Sequence, residues 1–496
     1  MKIKKYASGL LVVLIALILC LSISANAFAA IPGALTFTDI TANSVTLNWD
    51  ALPETPRYYI YRVTPNNNIS TLIGSTTETS FTVTDLSTNG YYGFYLSNGW
   101  DIYGIYWATT NNGRIIDLAD TNMPATNRVE GTNWWYQGNV YHITGDGVVV
   151  TGSTPETTTI DKRVVIETDC TVTLESIRIS TSNGSPIKLN PGTNVTLKLT
   201  ESKNYLSANN ATGAGIETTG ATLTIEGRGM LTVTGKYGAG IGGGCSTGSD
   251  GSEGGIMIDG KPGGDGSGGN GGIVTINGVT VTATSTYGAG IGGGYGGDGG
   301  RGGASLGGKG GKGGNGGKGG DGSIVTINGA NVTATSKYST GIGGGCGGNG
   351  SKGGPSYLAV PGTVIIIPII KYYGKGGDGG NGGNGGNGGD IEINGGTVTA
   401  IGDKAFGGSK GGEGGGKGGG YESNGNDGHD GWTSYAVGSL TLPAEYNWLV
   451  KYWYAMLFGD IGLVQPREKR GSYPETPYEY DRSHFEVRIS TESAFE

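Results

Sequence analysis

Leu223-Thr224-Ile225-Glu226-Gly227, then Leu231-Thr232-Val233-Thr234, then Tyr237-Gly238-Ala239-Gly240-Ile241-Gly242-Gly243-Gly244 decides the fold, because it returns. The second copy reads Thr275-Ile276-Asn277-Gly278, Val279-Thr280-Val281-Thr282 and Tyr287-Gly288-Ala289-Gly290-Ile291-Gly292. The third reads Thr326-Ile327-Asn328-Gly329, Val332-Thr333 and Tyr338-Ser339-Thr340-Gly341-Ile342-Gly343. A fourth keeps Ile393-Asn394-Gly395, Thr397-Val398-Thr399 and Phe406-Gly407-Gly408. Ile225, Ile276 and Ile327 are each 51 positions apart. A fixed period of that size marks a stacked repeat. Each copy holds three short segments in which Val, Ile and Thr alternate, as strands with one buried face do. Three such strands and their turns make one coil of a parallel β-helix, so the fold class is all-β.

Between copies lie about 30 residues of glycine with Lys, Asn or Asp. Residues 307–322 read GGKGGKGGNGGKGGDG and 376–390 read GGDGGNGGNGGNGGD. Each coil is expected to extrude one such loop from the same corner, at about 242–272, 292–322, 343–390 and 407–431. The period is three, but the near absence of Pro argues against collagen. Two readings stay open. One is a flexible linker. The other is polyproline-II geometry, which puts X on one edge and glycine on two, so that neighbouring segments pack closely. On that second reading the loops resemble the polyglycine-II bundles of snow-flea-type antifreeze proteins and some phage tail-tip adhesins.

The chain has 496 residues, 103 of them glycine, and a net charge of −8, which argues against a nucleic-acid partner. Lys2, Lys4 and Lys5, an apolar run from Leu10 to Leu21, and Ala25, Ala27 and Ala29 read as a signal peptide over residues 1–30, so secretion to the exterior or cell surface is expected. Cys20 lacks the context of a lipoprotein site. No hydrophobic tail or sortase-type signal is seen, so no covalent wall anchor is expected, nor a transmembrane segment in the mature chain. Cys245 and Cys346 occupy equivalent repeat positions two coils apart. At roughly 4.8 Å per coil they stand about 10 Å apart, too far for a disulfide. Free, largely inward thiols are therefore expected, Cys170 among them.

Residues 31–117 alternate differently: Ser44-Val45-Thr46-Leu47-Asn48-Trp49, Tyr58-Tyr59-Ile60-Tyr61-Arg62, Ser80-Phe81-Thr82-Val83 and Tyr92-Gly93-Phe94-Tyr95-Leu96. Trp49 closes the second strand, and Tyr92 follows Leu86 by six residues, as in a tyrosine corner. This stretch resembles a fibronectin type III domain, which implies a sandwich acting as a spacer or weak binding module. Residues 118–140 form a linker and N-terminal cap ending in Trp134-Trp135-Tyr136. These aromatics either plug the open end of the solenoid or stack on sugar rings.

Residues 141–442 form the β-helix. The irregular early strands (Val148–Val150, Val164–Ile166, Val172–Leu174, Ile187–Leu189, Val195–Leu199) and the Gly-Ile-Gly-Gly phrase resemble the pectate-lyase-type right-handed β-helix of secreted Gram-positive carbohydrate-binding proteins. Residues 443–496, rich in Tyr, Trp and Phe, read as a C-terminal cap or an aromatic binding surface. Within the third loop, Val364–Ile370 is an apolar run interrupted by Pro368. It reads either as a hairpin over the loops or as a contact for a hydrophobic partner.

No catalytic constellation emerges. Asn-Thr-Asp and Asp-Asp motifs are absent. Glu226, Asn277, Asn328 and Asn394 share one corner, which suits turn chemistry and an amide ladder. His142, His429 and His484 share no spacing, so no zinc site is expected. Residues 316–321 fit six places of a calcium-binding nonapeptide, but the period is three, leaving calcium at Asp298, Asp321, Asp378 or Asp390 as an open alternative to no cofactor. Tyr237, Tyr287 and Tyr338 recur once per coil with Lys236 and Lys337 beside them. They read as an internal ladder or, with Trp134 and Trp135, as a glycan-binding strip. The composite expectation is a non-enzymatic surface or matrix protein with a polysaccharide or cell-surface glycan as partner. A divergent polysaccharide lyase or glycosidase is the alternative. Ice binding is a third reading, opposed by the charged X positions.

Overall fold

The structure is a computed structural model that describes residues 34–52, 55–63, 70–87, 90–110, 114–120, 128–152, 162–209, 212–254, 258–306, 308–357, 375–419, 426, 428–429, 440–441 and 485–490. Among them every regular element is a strand. The chain divides into two units, one formed by residues up to 113 with 127–132, the other by 114–126 with the residues from 133 onward. The signal peptide, Val364–Ile370, His484 and most of the expected C-terminal cap, including Tyr446, Trp448 and Tyr452, lie outside the described residues.

The first unit is an antiparallel sandwich. Thr36–Thr38, Val45–Asn48 and Ser80–Val83 form one sheet. Ser70–Thr76, Tyr58–Val63, Tyr91–Ser97 and Ile102–Thr109 lie in order in the other. Val45, Leu47, Ile60, Phe94 and Leu96 are all but fully buried, which is what period-two alternation dictates for facing sheets. Trp49 meets Tyr58 edge-on, ring centres 5.3 Å apart. The Ser87 amide donates to the Tyr92 hydroxyl at 2.8 Å, tying the strand back to the preceding corner. Val129–Gly131 adds a parallel strand against Trp107 and Ala108, burying Val129 completely. The sequence boundary at residue 117 needs correcting. Ile115–Asp117 pairs in parallel with Val149–Thr151 and belongs to the second unit, because Ile116 is fully buried there.

The second unit is a parallel β-helix with three sheets. The first sheet contains Ile115–Asp117, Val148–Thr151, Cys170–Glu175, Asn194–Leu199, Thr222–Gly227, Ile273–Asn277, Ile324–Asn328, Ile391–Ile393 and Leu440–Thr441. The second contains Arg178–Thr181, Lys203–Ala208, Met230–Thr234, Thr280–Ser285, Ala330–Ser336 and Gly396–Gly402, with Phe485–Ser490 added antiparallel to the last. The third runs from Val140–Ile143 through Arg163–Ile166, Ile187–Leu189, Ile216–Glu217, Ile241–Gly242 and Ile291–Gly292 to Thr340–Gly343 and Lys404–Gly407.

Register converts the repeat into a core. Val172, Leu197, Ile225, Ile276, Ile327 and Ile393 are partners from coil to coil, and each is 0 % exposed. Each such side chain contributes about 1.5–3 kcal/mol by leaving water. At the following corner the Asn328 amide donates to Asn277 Oδ1 (2.8 Å) and the Asn394 amide to Asn328 Oδ1 (3.1 Å). Gly278 and Gly329 take φ +64° and +60° there, a region open to glycine at no cost. Trp134–Gln137 and Val140–Ile143 form the opening hairpin. Trp134, Tyr136 and Tyr141 are at most 1 % exposed, so Trp134 plugs the first coil and has no face to offer a sugar.

The Gly-rich tracts leave after the third sheet and return to the first. Outgoing arms (242–254, 292–306, 343–357, 407–419) and returning arms (258–272, 308–322, 375–390) bond to one another in alternation. The amide of Gly264 donates to Ser249 O, Gly300 to Gly264 O, Gly314 to Gly300 O, Ser351 to Gly314 O, Gly380 to Ser351 O and Gly415 to Gly380 O, all within 3.0 Å. Along each arm the donors recur every third residue: Gly310, Gly313, Gly316 and Gly319 donate to the carbonyls of Lys375, Asp378, Asn381 and Asn384. The glycines between Lys309 and Lys318 are buried while Lys309, Lys312 and Lys318 are exposed.

Candidate functional site

The three outer faces of the β-helix differ in chemistry. On the second sheet, the four coils from Met230 to Ile401 present Met230, Thr232, Thr234, Thr280, Thr282, Thr284, Asn331, Thr333, Thr335, Thr397, Thr399 and Ile401 in register, with no charge among them. The first sheet presents scattered charges, such as Lys198 and Glu392, with the exposed Ile273 and Ile324. The third sheet carries the most developed polar site.

Strand pairing aligns Trp135, His142, Val165, Lys188 and Glu217 in one outward column. The four steps span about 19 Å at the usual strand spacing. Trp135 stacks on the His142 ring, centres 3.6 Å apart and planes 1° apart, and His142 Nδ1 lies 2.7 Å from Glu167 Oε1. Beyond Glu217 the column ends in glycine (Gly242), and there the first Gly-rich arm rises from the surface. The step between strand face and arm is a cleft of about 380 Å³. Arg163, Ser185, Lys188 and Glu217 form its floor side, Cys245, Ser246 and Ser267 its arm side. Glu217 accepts from the Ser185 hydroxyl at 2.7 Å and pairs with Lys188 at 2.9 Å. Its carboxylate is only 18 % exposed and Lys188 is 45 % exposed, so the pair is fixed from below and open above. A polar cleft with fixed donors and acceptors orients a hydroxyl-rich ligand. Neither Arg163 nor Glu217 stands out in the sequence, because only coil stacking brings residues 23 and 29 positions apart into register.

Tyr237, Tyr287 and Tyr338 do come together, at the corner between the second and third sheets. Ring centres are 5.1 and 5.2 Å apart, with planes inclined by 8° and 28°. Tyr295, from an outgoing arm, packs at 5.4 Å from Tyr287. Lys236 lies over Tyr237 (5.1 Å), and Lys337 (4.8 Å) and Lys410 (5.7 Å) over Tyr338. The rings thus cover each other's faces, and the end faces carry ammonium groups. Trp134 lies in the core, as described, and only Trp135 shares a face with the cleft.

Cys170, Cys245 and Cys346 are free. Burial pushes the Cys170 thiol up to about 11 and Cys245 and Cys346 up to about 12, so none is a ready thiolate. Among the described residues no three metal-ligating side chains gather. Three of the four candidate calcium aspartates are engaged otherwise: Asp298 accepts from Tyr295 and Asn349, Asp321 from Lys318 and Asn387, and Asp378 from Asn426.

Comparison with known proteins follows the same division. Residues 30–109 match the fibronectin type III domain family, and residues 137–302 match a family described as carbohydrate-binding domain-containing protein. No curated protein matches the chain. Among solved structures, FN3tt is similar at 24 % identity over 16 % of this chain and 87 % of its own, TM-score 0.14. A fibronectin type III domain from human KIAA0970 protein is similar at 19 % over 16 % and 75 %, TM-score 0.14. Pectate lyase Pel3 from Pectobacterium carotovorum is similar at 11 % over 68 % and 93 %, TM-score 0.14. The two family matches fall on the antiparallel sandwich and on the parallel β-helix, respectively.

Proposed function

We propose that this is a secreted, non-enzymatic surface or matrix protein that binds polysaccharide, the β-helix serving as a rigid scaffold for the glycan site. The observation that carries the reading is the cleft at Lys188 and Glu217. It lies within the segment that matches the carbohydrate-binding family, and its polar groups are held in place by neighbours instead of being left to solvent. Trp135, further along the same face, extends the surface available to a chain longer than the cleft. The fibronectin type III domain acts as a spacer.

A glycan array on the mature protein, with Lys188→Ala and Glu217→Gln beside it, tests the reading. Binding by the wild type and its loss in both variants is expected. A wild type that captures no glycan ends it. Incubation with polygalacturonate and other glycans, followed by reducing ends and absorbance of unsaturated products, separates binding from cleavage, and no product is expected.

A further inference from the structure

The outer face of the second sheet is built differently from the other two. Its middle column is threonine in four successive coils: Thr232, Thr282, Thr333 and Thr399. Thr234, Thr284 and Thr335 run beside it. The register is unbroken because the inward side repeats as well. Val281, Val332 and Val398, then Ala283, Ala334 and Ala400, stack from coil to coil and are at most 2 % exposed. Identical inward residues let each coil sit squarely on the last, so the outward lattice is even. It repeats about every 4.8 Å across the strands and about every 6.6 Å along them. Threonine is β-branched and stiff at χ1, so its methyl and hydroxyl keep fixed places in that lattice. The Thr284 hydroxyl donates to the Thr234 hydroxyl of the coil before it, 3.1 Å away.

Charge is kept off this face. The first sheet turns Glu226 and Glu392 outward, and the third Lys188 and Glu217. Lys236 and Lys337, which follow the threonine strands, lie over the rings of Tyr237 and Tyr338 at 5.1 and 4.8 Å. Charges reach the second sheet only with Arg178 and Lys203, in the two earlier coils. Water beside a charge turns toward it and gives up its tetrahedral neighbours. Beside an even plane of methyls and hydroxyls it can keep them, because a hydroxyl donates once and accepts twice, as a lattice water could in its place. The two repeats of the threonine lattice are close to the spacings of oxygen rows on a prism face of hexagonal ice. We propose that the threonine face of the second sheet binds ice. The charged X positions oppose that role for the Gly-rich arms, and this face carries none.

The test is ice recrystallisation in a sucrose solution of the protein, with grain size followed during annealing. The wild type keeps the grains small. Thr282→Lys combined with Thr333→Lys abolishes the effect, with circular dichroism and unfolding temperature as in the wild type, and Lys312→Ala in a Gly-rich arm retains it. Fluorescently labelled protein, taken up by a growing single ice crystal, collects on prism planes. A wild type whose grains coarsen as fast as those in protein-free solution overturns the proposal. Activity that survives the double lysine variant overturns it too, by moving the contact to another face. Adsorption to the basal plane alone overturns the match of spacings on which it rests. A wild type that sediments as a dimer, with a monomeric double variant, gives the face to a second copy of the chain instead. Glycan binding stands or falls separately, on Lys188 and Glu217.

Discussion

At the residue scale, glycine is required in the arms for space. A Cβ on Gly317 would collide with the carbonyl oxygens of Gly296 and Gly266, and one on Gly320 with that of Gly269. The Gly296 and Gly266 amides are bonded to the carbonyls of Cys346 and Asn315, and Gly269 O accepts from Gly294, so this backbone cannot step aside. Gly317→Ala should lower stability by about 1–3 kcal/mol, the range for over-packing, as read by chemical denaturation. Gly416, with nothing near its Cβ position, is the control and should tolerate Ala. Asn328 is the middle rung of the amide ladder, and Asn328→Ala removes two hydrogen bonds for about 1–2 kcal/mol. The thiols are quiet for a related reason. At pH 8 the native protein should resist iodoacetamide at Cys170, Cys245 and Cys346 until it unfolds, with mass spectrometry reading the adducts.

At the element scale, the Asp and Asn residues of the Gly-rich arms act as clamps between levels. Asp250 Oδ1 accepts from the Arg301 amide, while the next residue, Gly251, donates to the Arg301 carbonyl. The same two-bond ring joins Asp265 to Asn315, Asn315 to Asn381, Asp298 to Asn349, Asn349 to Glu413 and Asp378 to Asn426. The side-chain oxygen thus pairs an X-position amide that the glycine ladder does not. The Asn426 amide holds the Asp378 carboxyl below its ordinary range, and the Asn194 amide does the same for Asp169 at a coil corner. Because the folded values are depressed, these groups stabilise at neutral pH. That contribution fades as pH falls below the ordinary carboxylate value of 3.8. Asp378→Asn keeps the clamp and should flatten part of the acid dependence of the unfolding temperature. The tyrosine ladder packs ring against ring from coil to coil. Tyr237/Tyr287/Tyr338→Ala should lower stability yet leave glycan binding in place, and binding lost with an intact fold would move the site to that corner.

At the scale of the whole molecule, the two units fold around separate cores. A fragment spanning residues 31–132 should fold alone and unfold cooperatively by circular dichroism. Stopping at residue 110 removes Val129–Gly131, whose Val129 is fully buried, and should cost about 1–3 kcal/mol.

Period, alternation and corner chemistry are local properties. Residues 223–406 alone therefore specified coils of three strands, the amide ladder, the inward valines and isoleucines, and the stacking of Tyr237 on Tyr287. Trp49 and Tyr92 likewise marked the sandwich from spacing alone. Two things were beyond sequence reach. The strand Ile115–Asp117 looks like a sandwich strand, because parallel and antiparallel partners demand the same alternation. Arg163, Lys188 and Glu217 carry no common motif, because they belong to three irregular coils without the 51-residue repeat. Only the tertiary stacking of those coils, with an arm of glycine rising beside them, puts the three side chains around one cleft.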